Sequence, residues 1–191
     1  MLSVKRLVLI TCSILAAGCS SPENGEGFVE GSFAIAECRP SGDFEKQDYR
    51  FDAGFLGTRR FKDTLTLNIL EYAIELEETD GLAVRIDELS ELREIEERPF
   101  SKVISQSSTD INVTLSLFQT CPDRPTLVAS SGIIIFDEFK VSELPEDTGV
   151  EEIVAGTLTA TVVGVDGETF AGIIRSEFNY RPGKLAITEP R

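Results

Sequence analysis

The chain contains no histidine and no tryptophan, and its sole methionine is Met1. Without histidine, Ser-His-Asp and Cys-His nucleophile systems are excluded, as are histidine-ligated zinc and iron sites. Without tryptophan, the best aromatic platform for sugars or quaternary ammonium groups is missing. Long apolar runs are also absent. The greasiest stretch, Leu7 to Ala17, has eleven residues including Thr11 and Ser13. As a helix it spans about 16 Å, against roughly 30 Å of bilayer hydrocarbon, so a transmembrane helix is not expected. Positive charge is scarce, with 18 Lys and Arg against 33 Asp and Glu and a net charge of −15. Such a surface repels nucleic-acid phosphates and anionic lipid head groups in general, so neither is an expected partner. An acidic surface also serves plain solubility.

What is present begins with an export signal. Lys5 and Arg6 precede the apolar stretch, which closes on Leu15-Ala16-Ala17-Gly18-Cys19 before the polar "SSPENGEG" of Ser20 to Gly27. This ending resembles the lipobox of bacterial lipoproteins, in which the cysteine becomes the first mature residue. Small residues let a peptidase approach the backbone, and a thiol is nucleophilic enough to take up a diacylglyceryl group as a thioether. The resemblance implies lipid attachment at Cys19, with further acylation of the new amino terminus, commonly by palmitate. Each buried methylene contributes about 0.8 kcal/mol, so two or three chains anchor where one does not. In Gram-negative lipoproteins an aspartate after the cysteine commonly marks retention on the inner membrane. Ser20 and Ser21 stand there instead, which implies the outer membrane, on its periplasmic face or at the cell surface. The alternative is an ordinary cleaved signal with an incidental cysteine.

The expected organisation is a signal peptide at 1–18, a flexible tether at 19–27 and a single domain at 28–191. Loss of residues 1–18 removes two of the basic residues and none of the acidic ones, leaving a net charge of −17. With Cys12 removed and Cys19 alkylated, Cys38 and Cys121 remain, and an oxidising envelope favours a disulfide between them. Closing that 83-residue separation is worth at most about 4 to 5 kcal/mol in the chain-entropy model. Two separate buried thiols are the alternative.

Beyond the tether, apolar residues alternate with polar ones. The pattern runs through Tyr49, Phe51, Ala53 and Phe55, then Leu65, Leu67 and Ile69, and slips parity to Tyr72, Ile74 and Leu76. It resumes at Ile111–Leu117, at Ile133–Phe136, and in the runs around Val154–Val162 and Phe170–Tyr180. This is the period of half-buried strands. Asp80-Gly81 and Asp166-Gly167 read as tight hairpin turns. The expected fold is mainly β, an antiparallel sandwich or barrel of about eight or nine strands. One helix is expected near 88–97, where Leu89, Leu92 and Ile95 follow helical spacing, with Asp87 as cap, a Glu94–Arg98 pair and Pro99 as stop.

No motif singles out a catalytic, cofactor or metal site. "ELEETDG" (Glu75–Gly81) and "PEDTGVEE" (Pro145–Glu152) cluster carboxylates without the ligand spacing of a calcium loop. Nothing selects a pair of acids for glycoside hydrolysis. "TRRFK" (Thr58–Lys62) is the sole basic cluster; it suits lipopolysaccharide phosphates or ordinary surface ion pairs. "NVT" at Asn112 fits a glycosylation acceptor, but in a strand of a lipoprotein it reads as plain structure. "TCPDRP" (Thr120–Pro125) is turn chemistry, and "GIIIFDEF" (Gly132–Phe139) a core strand. From Phe28 onward the pattern loosely resembles the all-β lipoproteins of Gram-negative bacteria. The expectation is a lipid-anchored, non-catalytic envelope protein without cofactor, held through acyl chains on Cys19 and binding an envelope protein or glycan. The alternatives are an envelope hydrolase using paired carboxylates, or a small-ligand carrier if the strands enclose a hollow barrel.

Overall fold

The computed structural model describes residues 25–33, 47–72, 79–121, 126–142, 152–165 and 170–181. In chain order they form β1 (Glu26–Phe33), β2 (Gln47–Asp52), β3 (Phe55–Phe61), β4 (Thr64–Leu70) and β5 (Asp80–Ile86). There follow α1 (Leu89–Arg93), β6 (Phe100–Ser105), β7 (Ile111–Leu117), β8 (Thr126–Lys140), β9 (Ile153–Gly164) and β10 (Phe170–Tyr180). Glu26 and Gly27, assigned to the tether by composition, belong to β1.

All described strands belong to one sheet with the order β2-β1-β10-β9-β8-β7-β5-β4-β3, and β6 pairs with β8 off this path. Every pairing is antiparallel. The sheet curls into a half-barrel, so one face is concave and apolar. Leu65, Leu67 and Ile69 of β4 point inward, as do Leu82, Val84 and Ile86 of β5 and Ile111, Val113, Leu115 and Leu117 of β7. Burying each such side chain contributes about 1.5–3 kcal/mol. An aromatic knot fills the β6–β8–β10 side. Phe136 lies 5.1 Å from both Phe100 and Phe139, and 6.4 Å from Phe178, measured between ring centroids.

β8 explains both the curl and the apolar run "GIIIFDEF". Its first residues, Thr126–Val128, pair with β7, and Ser131–Phe136 pair with β6 along the same edge. Bulges interrupt its register with β9 between Ala129 and Ser131 and between Phe136 and Glu138. Each extra residue flips the faces. Leu127, then Ile134 and Phe136, then Phe139 therefore all turn inward although their parities differ, while Ile133 stays 40% exposed.

Sheet closure depends on two residues. β2 and β3 occupy opposite ends of the strand order, yet only Ala53 and Gly54 separate them in sequence. The Ala53 N–H donates to the Gly27 carbonyl (2.8 Å) and the Gly54 N–H to the Leu70 carbonyl (2.9 Å). The chain thus steps from the β1 side of the sheet to the β4 side at a single corner. A Cβ on residue 54 would lie 2.3 Å from the Glu71 carbonyl oxygen, so only glycine fits. The alternating run Tyr49–Phe55 is accordingly two strands, and β3 and β6 raise the count to ten.

Local expectations are corrected at Asp80-Gly81 and in the helix, and one at Asp166-Gly167 is not tested. Asp80 and Gly81 are the first residues of β5, not a hairpin turn, because the Asp80 side chain is buried (2% exposed) as a cap for another segment. Asp166-Gly167 lies outside the described residues, between the paired strands β9 and β10. The helix spans five residues rather than ten. Glu88 precedes it at φ 58° without a side-chain cap, and the Asp87 carboxylate accepts from Thr64 and Arg85 instead. Asp63, in the β3–β4 turn, does the capping: its carboxylate accepts from the Ser90 N–H (3.0 Å) and hydroxyl (2.8 Å). Leu89 and Leu92 reach the core, but beyond them Arg98 donates to the Ile95, Glu97 and Phe139 carbonyls, so the Glu94 pair is not formed.

Substituting Gly54→Ala is expected to destabilise the domain by about 1–3 kcal/mol, since backbone rather than a flexible side chain must move. Urea unfolding followed by circular dichroism measures it.

Candidate functional site

Cys19 and Cys38 lie outside the described residues, and Cys121 follows the turn after β7, fully buried, its N–H donating to the Leu117 carbonyl (2.7 Å). Of "ELEETDG", only Thr79, Asp80 and Gly81 are described, and all three are buried; of "PEDTGVEE", only Glu152 is described. Among the described residues no group of His, Cys, Asp and Glu is arranged to hold a metal ion. No described helix is long and apolar enough to cross a membrane. Asn112 sits exposed on β7.

The one buried carboxylate in this set is Asp80. Its Oδ1 accepts the N–H groups of Gln119 (2.8 Å) and Thr120 (3.2 Å), and its Oδ2 accepts the Thr120 hydroxyl. It therefore holds the turn that delivers Cys121 to the core. Tyr49 lies on the same concave face, its ring 5.0 Å from that of Phe33 in an edge-on contact. Its hydroxyl is buried and has no hydrogen-bond partner among the described residues. Burial first, and the charge of Asp80 second, push the phenol well above its ordinary range. This is a structural node: the carboxylate is fully engaged and opens on no cleft.

Two surface depressions among the described residues are lined by arginines. The broader, about 450 Å³, crosses β2, β1 and β10 between Glu30, Asp48, Arg50, Ile173 and Arg175. Its charges neutralise one another. Arg50 pairs with Glu30 at 2.9 Å and with Asp52 at 3.2 Å, while Arg175 pairs with Glu177 at 3.6 Å.

The second, about 270 Å³, is a cleft on the outer face of β3, β4 and β5 lined by Arg59, Phe61, Thr64, Thr66 and Arg85. Strand register builds it. Arg59 is opposite Thr66, and Thr66 is opposite Arg85, which puts the two arginine Cα atoms roughly 10 Å apart across β4. Arg85 is already held by Asp87, with its Nε 3.0 Å from Oδ2 and its Nη2 3.0 Å from Oδ1. Among the described residues Arg59 makes no ion pair. Phe61 is 70% exposed, and the Lys62 ammonium stands 5.4 Å from its ring centre. Alternation sends Arg60 the other way: its guanidinium is 8% exposed and donates to the Ser142 carbonyl at 2.6 Å. "TRRFK" thus divides between a structural arginine and a surface cleft. Arg85, which completes the cleft, is 26 residues from Arg59, and only the register of three strands brings it there.

No family model, curated protein or solved structure matches the chain.

Two outcomes follow from these carboxylates. Asp80→Ala strands two N–H groups and a hydroxyl and is expected to cost at least about 3 kcal/mol, whereas Tyr49→Phe removes an unpartnered buried hydroxyl and leaves stability equal or higher by about 1 kcal/mol. Urea unfolding of both variants checks this. For Asp87, partial burial raises the carboxyl, but the hydrogen bonds from Thr64 and Arg85 and the Arg85 charge outweigh it and hold the group below its usual range. A lowered carboxyl stabilises the fold above its unfolded value and loses that effect as pH falls through the folded one. The stability gap between wild type and Asp87→Asn should therefore be full at neutral pH and close below about pH 4, as read from urea midpoints across an acid series.

Proposed function

We propose that this chain is a lipid-anchored, non-catalytic protein of the outer membrane, whose β domain binds or scaffolds another envelope component, protein or glycan. The single observation that carries the reading is Leu15-Ala16-Ala17-Gly18-Cys19, placed behind Lys5, Arg6 and a short apolar stretch. Acyl chains on Cys19 supply the attachment, since an acidic domain has no general electrostatic attraction to a lipid surface.

The use made of the well-placed acids favours binding over a carboxylate hydrolase. Asp63 caps α1, Asp80 caps the turn before Cys121, Asp87 braces Thr64 and Arg85, and Glu30 is tied to Arg50. A general acid or base has to be available to substrate, and these four serve the fold. The concave face is occupied by one continuous cluster from Val29 to Phe178, which favours surface recognition over carriage of a ligand inside the barrel. The outer face also offers apolar contact: Val103 of β6 lies opposite Ile133 of β8, and they are 69% and 40% exposed. A disulfide between Cys38 and Cys121 belongs to this reading: Cys121 is fully buried after β7, and Cys38 is the cysteine left to partner it once Cys12 and Cys19 are accounted for.

Replacing Cys19 by serine is expected to shift the protein from the outer-membrane fraction to the soluble fraction or to leave an uncleaved precursor. Mass spectrometry of the wild-type amino-terminal peptide should show the diacylglyceryl adduct on Cys19. The same intact protein should be lighter by two hydrogens than its reduced form. Unchanged fractionation together with an unmodified Cys19 would overturn the anchor.

A further inference from the structure

We propose that the cleft between Arg59 and Arg85 is a recognition site for the phosphomonoester head group of an anionic membrane lipid. It deepens the anchored reading by naming a ligand for the domain, and rests on that reading only for the source of the phosphate.

Local charge favours an anion here. The protein as a whole is strongly acidic, yet Arg59 and Arg85 line this cleft and the Lys62 ammonium stands over the Phe61 ring at its rim, while Asp87 is paired with Arg85 and Asp63 follows in the adjoining turn. Screening reduces the repulsion of distant acids beyond about 8 Å at physiological ionic strength, so nearby groups decide what can bind. The exclusion of anionic lipids suggested by net charge therefore does not extend to this face. Donor geometry favours phosphate. Arg85 is fixed by Asp87, Arg59 makes no ion pair among the described residues, and the Thr66 side chain lies between them on the same face. Guanidinium groups bind phosphate oxygens through paired N–H donors, and a hydroxyl supplies one more.

An exposed ring beside the cations selects the source. Phe61 stands 70% exposed on the rim, beside the Lys62 ammonium, at the tip of the β3–β4 hairpin. A free anion gives that ring nothing to bury against, whereas the interfacial layer of a membrane accepts an apolar side chain flanked by cations. The tether starts beside the same strand. Gly27 accepts the Ala53 N–H at the corner where β3 begins, so the tether leaves the domain at the end of β3 away from Phe61, roughly 20 Å along the strand. Between Cys19 and Gly25 the chain reaches at most about 21 Å. Phe55, 45% exposed, continues the outer face of β3 toward that exit.

The test uses the full chain in uncharged maltoside micelles, titrated calorimetrically with micelles doped with phosphatidic acid, with micelles doped with phosphatidylcholine, and with inorganic phosphate. Phosphatidic acid is expected to bind, phosphatidylcholine not to, and inorganic phosphate to bind at least about tenfold more weakly than phosphatidic acid. Arg59→Gln should weaken binding of phosphatidic acid about tenfold or more, the loss of one charge-assisted pair. Phe61→Ser should erase the preference for the lipid while leaving phosphate binding in place. Both side chains are exposed, so unchanged circular dichroism verifies the fold. No heat from phosphatidic acid, or full binding by Arg59→Gln, overturns the site. Equal binding of lipid and free phosphate that ignores Phe61→Ser overturns the lipid source. Cys19→Ser should bind as the wild type does, so loss of the anchor and loss of the cleft are read separately.

Discussion

The structure depends on one sheet having to bury one of its own faces. A flat antiparallel sheet of ten strands with no covering layer would leave its apolar side in water. Here that side is closed by curvature, and the curvature comes from β8. Two bulges switch the parity that faces inward along this strand, which serves β7 at its start and β6 further along. Leu127, Ile134, Phe136 and Phe139 could not share one core in an unbulged strand, because two residues per repeat would send some of them outward. The aromatic knot around Phe136 sits where the bend brings β6, β8 and β10 together.

Curvature leaves openings, and carboxylates finish them. Asp63 turns from the β3–β4 hairpin to hold the start of α1, whose Leu89 and Leu92 contribute to the core. Asp80 reaches from the first residue of β5 to the turn after β7. In both cases an acid accepts backbone N–H groups that the sheet ladder cannot satisfy, and charge-assisted bonds of this kind are the stronger ones. Part of the acidic composition therefore has a structural use, distinct from the solubility that net charge supplies.

The strand character was legible because alternation survives in single strands: Leu65-Leu67-Ile69 and Ile111-Val113-Leu115-Leu117 point inward as their spacing requires. What depends on partners was not legible. Asp80-Gly81 has the composition of a tight turn, yet β5 pairs on both sides and draws Asp80 inward, so tertiary context overrode the local preference. Asp87 precedes an apolar helical repeat and looks like its cap, but Thr64 and Arg85 claim it. The basic cluster at Thr58–Lys62 was visible as composition. Its division was not, since a strand sends Arg59 and Arg60 to opposite faces, and Arg85 joins Arg59 only through the β3-β4-β5 register.

The same division locates where recognition can occur. With the concave face committed to packing, specificity must come from the convex one, where the curl spreads side chains apart. Across β2, β1 and β10 the spread charges find each other and cancel. Across β3, β4 and β5 they do not, because small polar residues on β4 separate two arginines and, among the described residues, only Arg85 is ion-paired. An edge strand ordinarily risks pairing with another chain, and charged side chains along it suppress that. Arg59 on β3 and Lys62 in the turn that follows serve this purpose with cations in a protein whose surplus is overwhelmingly of acids. Edge protection accounts for the cations but not for a phenylalanine left exposed between them. A ligand that is itself negative and borders an apolar phase accounts for both.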